Sequence, residues 1–251
     1  MEDERVFVAA SSDCFPGLSL DGVLQRLVDL EYTSIEVAIH ENGGPLKPSG
    51  VLGDLEGTIA ACRETYRMTI SGYSVDIQAE GDAYYQQFAA CCRLAKATKV
   101  VSLTVPAAEL GTPFNAEIER LQQLVDIASR EGVLVSISTE TGRITQDPDT
   151  AVVLCDNVKG LGITLDPSHY IYGPHAGGNY DQVIPYVYNV HLRDTNKDRL
   201  QVRVGQGEVE YSRLITQLGK IGYHRALVVD ITEMDDVDHA AELRKMRLLL
   251  E

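Results

Sequence analysis

The sequence predicts an α/β protein, a single (β/α)8 TIM barrel that forms one domain over residues 1–251. Three observations predict this fold. Short runs of aliphatic and β-branched residues alternate with segments of helical periodicity, the units recur about every 30 residues, and no Pro- or Ser-rich linker interrupts them. An open doubly wound sheet is the alternative, but the glycine-rich turn GxGxxG does not follow the first strand.

Eight runs along the chain are the predicted strands. Their spacing is typical of parallel strands joined by crossover helices. In chain order they are Val6–Ala10, Ser34–Ile39, Met68–Val75, Val100–Val105, Val133–Thr139, Leu161–Asp166, Tyr186–Leu192 and Ala226–Ile231.

Between these runs, apolar residues recur at the spacing of amphipathic helices. The clearest sets are Leu20, Val23, Leu24, Leu27 and Val28; Phe88, Ala89, Cys92, Leu94 and Ala95; Ile118, Leu121, Leu124, Val125 and Ala128; and Leu214, Ile215 and Leu218. Gly132, Gly160 and Gly222 stand shortly before strands five, six and eight, where glycine often ends a helix.

Charge and composition exclude several classes of protein. Twenty-two Lys and Arg against 37 Asp and Glu give a net charge of −15, which repels nucleic acids and anionic membrane surfaces. No run of about 18 apolar residues predicts a membrane span, and the acidic start, Met1–Arg5, is unlike a secretory signal. The five cysteines form no CxxC pair, so we expect reduced thiols in a cytoplasmic protein.

Polar side chains with inward parity lie late on several predicted strands. They are Glu36 and His40 on strand two, Glu140 after strand five, Asp166 on strand six, His191 and Arg193 on strand seven, and Asp230 on strand eight. Functional residues of a barrel gather at the C-terminal ends of its strands, so we expect a site there. Buried carboxylates and an imidazole need a positive partner, and a divalent cation is the simplest one. Salt bridges around the rim are the alternative.

Three stretches of the second half carry a resemblance to a known family. They are Leu161–His169 (LGITLDPSH), Asn189–Asp194 (NVHLRD) and Val204–Glu210 (VGQGEVE). At these residues the chain resembles the xylose-isomerase-like TIM barrel superfamily of sugar-phosphate isomerases and epimerases. The resemblance implies metal ligands on strands five to eight, which would be Glu140, Asp166, His191 and Asp230. This oxygen-rich set favours Mn²⁺ or Mg²⁺, with Zn²⁺ or Co²⁺ as alternatives.

Two of these positions depart from the family pattern. Strand five commonly reads Glu-Thr-His-x-Gly in the family, whereas the same frame here begins with Ser138 and places a carboxylate two residues later, at Glu140. The usual glutamate of strand eight is Asp230, one methylene shorter. These departures leave open a degenerate metal site.

By the resemblance, the protein is a divalent-metal-dependent isomerase or epimerase of a small sugar, sugar acid or sugar phosphate. The ion would stabilise an enediolate while the catalytic residues Glu140 and Asp230 move protons. The alternatives are a metal-dependent dehydratase of a polyol or keto acid, and a carbohydrate-binding barrel without turnover. The apurinic-endonuclease branch needs additional histidines, which strands three and four lack.

Four further side chains are expected to contact the sugar-like substrate. Glu36 and His40 would hydrogen-bond its hydroxyl groups, and His169 would face it because Pro167 bends the chain there. Arg193 would bind a substrate anion, or else form a salt bridge to Asp166 or Glu140.

Two other features of the sequence stay open. Gly205 and Gly207 would offer backbone N–H groups to a phosphate, or they simply form a flexible turn. Barrels of this family often pair, so a homo-oligomer is compatible with the resemblance, but the sequence does not determine the oligomeric state.

Overall fold

A closed barrel of parallel strands forms the centre of the molecule. The structure is a computed structural model, and it describes residues 7–251. Within that range, eight strands follow one another in sequence order, and the first pairs with the eighth to close the barrel. The predicted (β/α)8 fold is confirmed. Val6, the predicted start of the first strand, lies outside the described residues.

The strands overlap the predicted runs and extend past them by at most one residue. They are β1 (Val8–Ser11), β2 (Ser34–His40), β3 (Thr69–Asp76), β4 (Ser102–Val105), β5 (Leu134–Ser138), β6 (Leu161–Leu165), β7 (Val187–Leu192) and β8 (Leu227–Val229).

Helices surround the barrel. They are α1 (Leu20–Asp29), α2 (Pro48–Gly53), α3 (Leu55–Arg63), α4 (Gly81–Thr98), α5 (Phe114–Glu131), α6 (Pro148–Asn157), α7 (Ser168–Ile171), α8 (Tyr211–Lys220) and α9 (His239–Leu250). The four helical patterns singled out in the sequence correspond to α1, α4, α5 and α8. No helix of the described residues is long and apolar enough to cross a lipid bilayer.

The connection from β6 to β7 differs from a regular βα unit. It contains only the four residues of α7 and a short 3₁₀ segment, Asp181–Tyr186. The reason is local: Gly173, Pro174 and the pair Gly177–Gly178 lie between them, and these residues do not favour a continuous helix.

A hydrogen-bonded polar network crosses the barrel interior below its mouth. The Thr164 hydroxyl lies 2.7 Å from the hydroxyls of both Thr104 and Ser136. The Asn189 side-chain amide donates to Thr104 at 3.3 Å and to Glu36 at 2.6 Å. Because these side chains are buried, their mutual hydrogen bonds replace those lost to water. The network supports the charged groups at the mouth from beneath.

Candidate active site at the mouth of the barrel

A polar cavity of about 370 Å³ opens where the strands end. It is the place that barrel architecture favours for function. Its wall includes Asp13, His40, Ser74, Asp76, Thr104, Ser138, Glu140, Arg143, Asp166, His169, His191, Arg193 and Asp230.

Arg193 joins two carboxylates across this cavity. Its Nε donates to Oδ2 of Asp166 at 2.9 Å, and its Nη2 donates to Oδ2 of Asp230 at 2.6 Å. Burial by itself would lower the pKa of Arg193, but the two carboxylate charges raise it, so the guanidinium stays positive. Of the two expectations for Arg193, the structure therefore contains the salt bridge, with Asp166 as its partner rather than Glu140.

Asp166 is held by local hydrogen bonds as well. Its Oδ1 accepts from the backbone N–H of Ser168 at 2.9 Å and from the Ser168 hydroxyl. Its own N–H donates to the Thr139 hydroxyl at 2.8 Å. Burial favours the neutral acid, but the charges of Arg193 and His169 and the Ser168 hydrogen bond lower the pKa of Asp166 below its ordinary value. The Asp-Pro-Ser segment thus fixes an ionised carboxylate at the end of β6.

His191 forms a buried ion pair with Glu36. Its Nε2 lies 2.6 Å from Oε1 of Glu36, whose side chain has no exposed surface, and its Nδ1 lies 3.7 Å from Oδ2 of Asp230. Burial would lower the pKa of His191, but the Glu36 charge and hydrogen bond raise it to about 9. The pairing favours the charged ring, and Nε2 is engaged by Glu36.

Glu140 is paired with a different arginine, Arg143. It follows the end of β5, its side chain is 41% exposed, and it accepts a hydrogen bond from Nε of Arg143 at 2.9 Å. Arg143 also donates to the carbonyl oxygen of Ala107 at 2.7 Å. Ser138, at the position where the family has its glutamate, lines the cavity directly.

His169 is a buried, neutral proton donor. The backbone N–H of Thr141 donates to its Nδ1 at 3.1 Å, so the ring proton is assigned to Nε2. That nitrogen lies 3.8 Å from Oδ2 of Asp166. Burial lowers the pKa of His169 further than the Asp166 charge raises it. The Nε2–H group is therefore available to a ligand in the cavity.

The opposite wall contains His40 and three residues that the sequence analysis did not identify, Asp13, Ser74 and Asp76. His40 Nε2 lies 3.1 Å from the Ser74 hydroxyl, and its Nδ1 lies 3.6 Å from Oδ2 of Asp13. Burial raises the pKa of Asp13. Inward parity on β3 could have identified Ser74 and Asp76, whereas Asp13 follows β1 in a 3₁₀ turn, where strand parity no longer applies.

The residues present do not fit a divalent metal ion. Arg193 binds both Asp166 and Asp230, and Glu140 is paired with Arg143. Across residues 7–251, no group of three or more His, Cys, Asp or Glu side chains is arranged to hold a metal ion. The predicted set of Glu140, Asp166, His191 and Asp230 is therefore not assembled as a coordination shell in this arrangement.

The two glycines after β7 form a structural loop. The N–H groups of Gly205 and Gly207 donate to Oδ2 of the buried Asp194 at 2.8 and 2.9 Å. Added Cβ atoms at Gly207 would overlap that carboxylate. The N–H groups that a phosphate would need are thus already used within the chain.

Comparison with known proteins gives one family and many similar folds. A family model described as "Xylose isomerase-like TIM barrel" matches residues 24–249. The curated proteins contain no match. Sugar epimerases and a probable dehydratase are among the structural neighbours.

Three solved structures illustrate the similarity. A xylose isomerase-like TIM barrel protein from Mycobacterium smegmatis, in complex with magnesium, has 18% identity and a TM-score of 0.76, over 100% of this chain and 98% of that one. The 3-keto-D-glucoside 4-epimerase from E. coli has 15% identity and a TM-score of 0.73, over 98% and 99%. The probable 3-DHS dehydratase from Bacillus anthracis has 14% identity and a TM-score of 0.73, over 98% and 99%. At identities this low, the TM-scores show a common fold and no more.

Proposed function

Since the chain belongs to the xylose isomerase-like TIM barrel family, we propose that it is an isomerase or epimerase. It moves a proton next to the carbonyl group of a small, uncharged, polyhydroxylated compound. One observation carries the proposal: a carboxylate, Asp230, and a neutral imidazole N–H, that of His169, line the same cavity with the guanidinium of Arg193. The divalent ion expected from the resemblance takes no part in the proposed reaction, because the residues present do not fit that ion.

Asp230 is the proposed base. Its Oδ2 accepts from Arg193 at 2.6 Å, and 18% of its side chain is exposed at the cavity. A carboxylate positioned in this way removes the proton from the carbon beside the substrate carbonyl. The electron pair of that C–H bond moves onto the carbonyl oxygen, which forms an enediolate.

His169 and Arg193 stabilise the enediolate. The Nε2–H of His169 donates to the developing oxyanion, and the fixed positive charge of Arg193 lowers its energy in a site largely shielded from water. In an isomerase, Asp230 returns the proton to the former carbonyl carbon while the hydroxyl proton of the neighbouring carbon passes to the oxyanion, so that the carbonyl group moves by one carbon. In an epimerase, Glu140, the other predicted catalytic carboxylate, first takes a proton from solvent at its exposed side and gives it to the opposite face of the same carbon, while Asp230 releases the proton it removed to solvent. Both routes return the proton that the first step removed, or its equivalent.

The charge of the cavity favours an uncharged substrate over a sugar acid or sugar phosphate. Carboxylates of the wall outnumber its guanidinium groups, which are those of Arg143 and Arg193, and both of these are already ion-paired. Hydroxyl-bearing side chains such as Ser74 and Ser138 can hydrogen-bond sugar hydroxyl groups, as can His40. Glu36, expected to do the same, has no exposed surface and instead pairs with His191.

Solvent-exchange NMR tests the proposal. The protein is incubated in D₂O with a panel of uncharged ketoses and aldoses, and deuterium at the carbon next to the carbonyl is followed. We expect exchange with the wild type and a loss of about 100-fold or more in Asp230→Asn, which removes the base. Asp235→Asn, an exposed carboxylate in the segment after β8, is the matched control and should exchange like the wild type.

Two outcomes separate the alternatives. Exchange that is unchanged in Asp230→Asn would refute the assigned base, and new olefinic or dehydrated products would indicate the dehydratase. Ser138 in place of a glutamate favours the second candidate, a barrel that binds carbohydrate without turnover. For that candidate, calorimetry would record binding of one of the same sugars while no exchange occurs in any of them.

A further inference from the structure

The acidic groups at the mouth of the barrel already enclose a positive charge that belongs to the chain. We propose that the guanidinium of Arg193 is a resident cation, which replaces a divalent metal ion in this site and prevents one from binding. The inference concerns metal binding in the absence of any substrate, so it does not depend on the proposed reaction.

The contacts of Arg193 are those expected of a fixed counter-ion. Two of its nitrogens donate to carboxylates from two different strand ends, β6 and β8, at 2.9 and 2.6 Å. A guanidinium recognises carboxylates through several directed hydrogen bonds at once. The side chain is 13% exposed, and those of its partners Asp166 and Asp230 are 5% and 18% exposed. A metal ion bound to these same oxygens would have to displace the guanidinium.

The backbone around Arg193 opposes such a displacement. Leu192, before it, is fully buried, and Asp194, after it, is 2% exposed. The Asp194 carboxylate accepts N–H groups from Thr195, Gly205 and Gly207, which anchors the chain directly after Arg193. The side chain therefore points into the cavity from a backbone segment that is held on both sides.

The remaining oxygen and nitrogen donors are also engaged. Oδ1 of Asp166 accepts two hydrogen bonds from Ser168, and Nε2 of His191 faces Glu36 at 2.6 Å. Ser138 provides a hydroxyl where a carboxylate would complete the shell. Removal of the guanidinium alone changes this balance, because it leaves the carboxylates of Asp166 and Asp230 facing the same cavity without their counter-ion. Such a set is suited to Mn²⁺.

Metal titration tests the inference. Wild type and Arg193→Ala are stripped with EDTA, dialysed and titrated with Mn²⁺ by calorimetry at pH 7.5, with metal analysis of the dialysed complexes. We expect Arg193→Ala to bind one Mn²⁺ per chain at least about tenfold more tightly than the wild type, the scale of change when the ligand environment is altered. The double variant Arg193→Ala/Asp166→Asn should lose this gain.

Controls separate the position of the positive charge from the change in net charge. Arg130→Ala removes an equal charge from an exposed position on α5 and should bind Mn²⁺ like the wild type. Guanidinium ion, added well below denaturing concentration, should compete with Mn²⁺ in Arg193→Ala. If that variant does not fold, Arg193→Met, which keeps the aliphatic length, takes its place. Tight stoichiometric Mn²⁺ binding by the wild type, or no gain in a folded variant, would overturn the inference.

Discussion

The missing side chain of Gly162 makes room for an aromatic ring on the neighbouring strand. A Cβ atom at this position would overlap the ring of Tyr188. The same ring packs under the guanidinium of Arg225, 5.4 Å from its centroid, and the register of the β6–β7 pair shifts close by, between Ile163 and Thr164. Because glycine has no Cβ atom, Gly162 leaves space for this ring beside the register shift. The two strands paired there are the ones that present Asp166 and His191.

Gly162→Ala should lower the free energy of unfolding by about 1–3 kcal/mol, because the ring of Tyr188 must move to admit the methyl group. Urea denaturation measures the change. Gly219→Ala is the matched control: it lies in α8 with nothing within 4 Å of the added Cβ, and alanine should stabilise the helix by about 0.5–1 kcal/mol. Equal stability of Gly162→Ala and the wild type would contradict this account.

At the scale of elements, the last helix is attached to the loop that follows β7. Glu242, in the first turn of α9, is almost fully buried; its Oε2 accepts the N–H of Val204 at 2.7 Å and its Oε1 accepts from Lys245 at 2.6 Å. Burial alone would raise the pKa of Glu242, but the hydrogen bonds from Lys245 and Val204 lower it. The carboxylate thus holds α9 against the segment that also contains Gly205.

Glu242→Gln should reduce stability at neutral pH by about 1.5–3 kcal/mol, the usual contribution of a hydrogen bond to a charged group. A lowered native pKa contributes stability above the ordinary value of 4.5, and this stability is lost as the pH falls through the native pKa. Unfolding curves from pH 7 to 3 should therefore converge for wild type and variant at the acidic end. Glu233→Gln, at an exposed position, should have the stability of the wild type at every pH. A stability difference between Glu242→Gln and the wild type that stays constant from pH 7 to 3 would refute the assigned role of Glu242.

At the scale of the whole molecule, Glu36 connects distant strands through the barrel centre. It lies on β2, has no exposed surface, and pairs with Asn189 and His191 on β7. The ion pair with His191 spans 155 positions of sequence. Removing one partner of a buried ion pair leaves an uncompensated charge, which is strongly unfavourable.

Glu36→Gln should lower the free energy of unfolding by about 3–5 kcal/mol at pH 7. The pKa of His191, raised from 6.5 to about 9, contributes stability that is complete below pH 6.5 and disappears as the pH rises through 9. The stability gap between wild type and variant should therefore narrow between pH 7 and 10. Glu56→Gln, exposed on α3, serves as the control, and a gap that widens with pH would disprove the assigned pairing.

Periodicity and parity alone determined the barrel, its strand positions and the polar residues at its mouth. Alternation along a strand is a local property of the backbone, so Asp166, His191, Arg193 and Asp230 could be placed at one end, and Glu36 inside the barrel, without a structure.

The partners of these residues were decided only by tertiary structure. Glu140 pairs locally with Arg143, three residues on, whereas the pairing of the strands brought Arg193 between Asp166 and Asp230. The irregular turn after β1 added Asp13. Ion pairs in a closed barrel join residues that are far apart in the chain, and their geometry depends on distances across the barrel that no local pattern encodes.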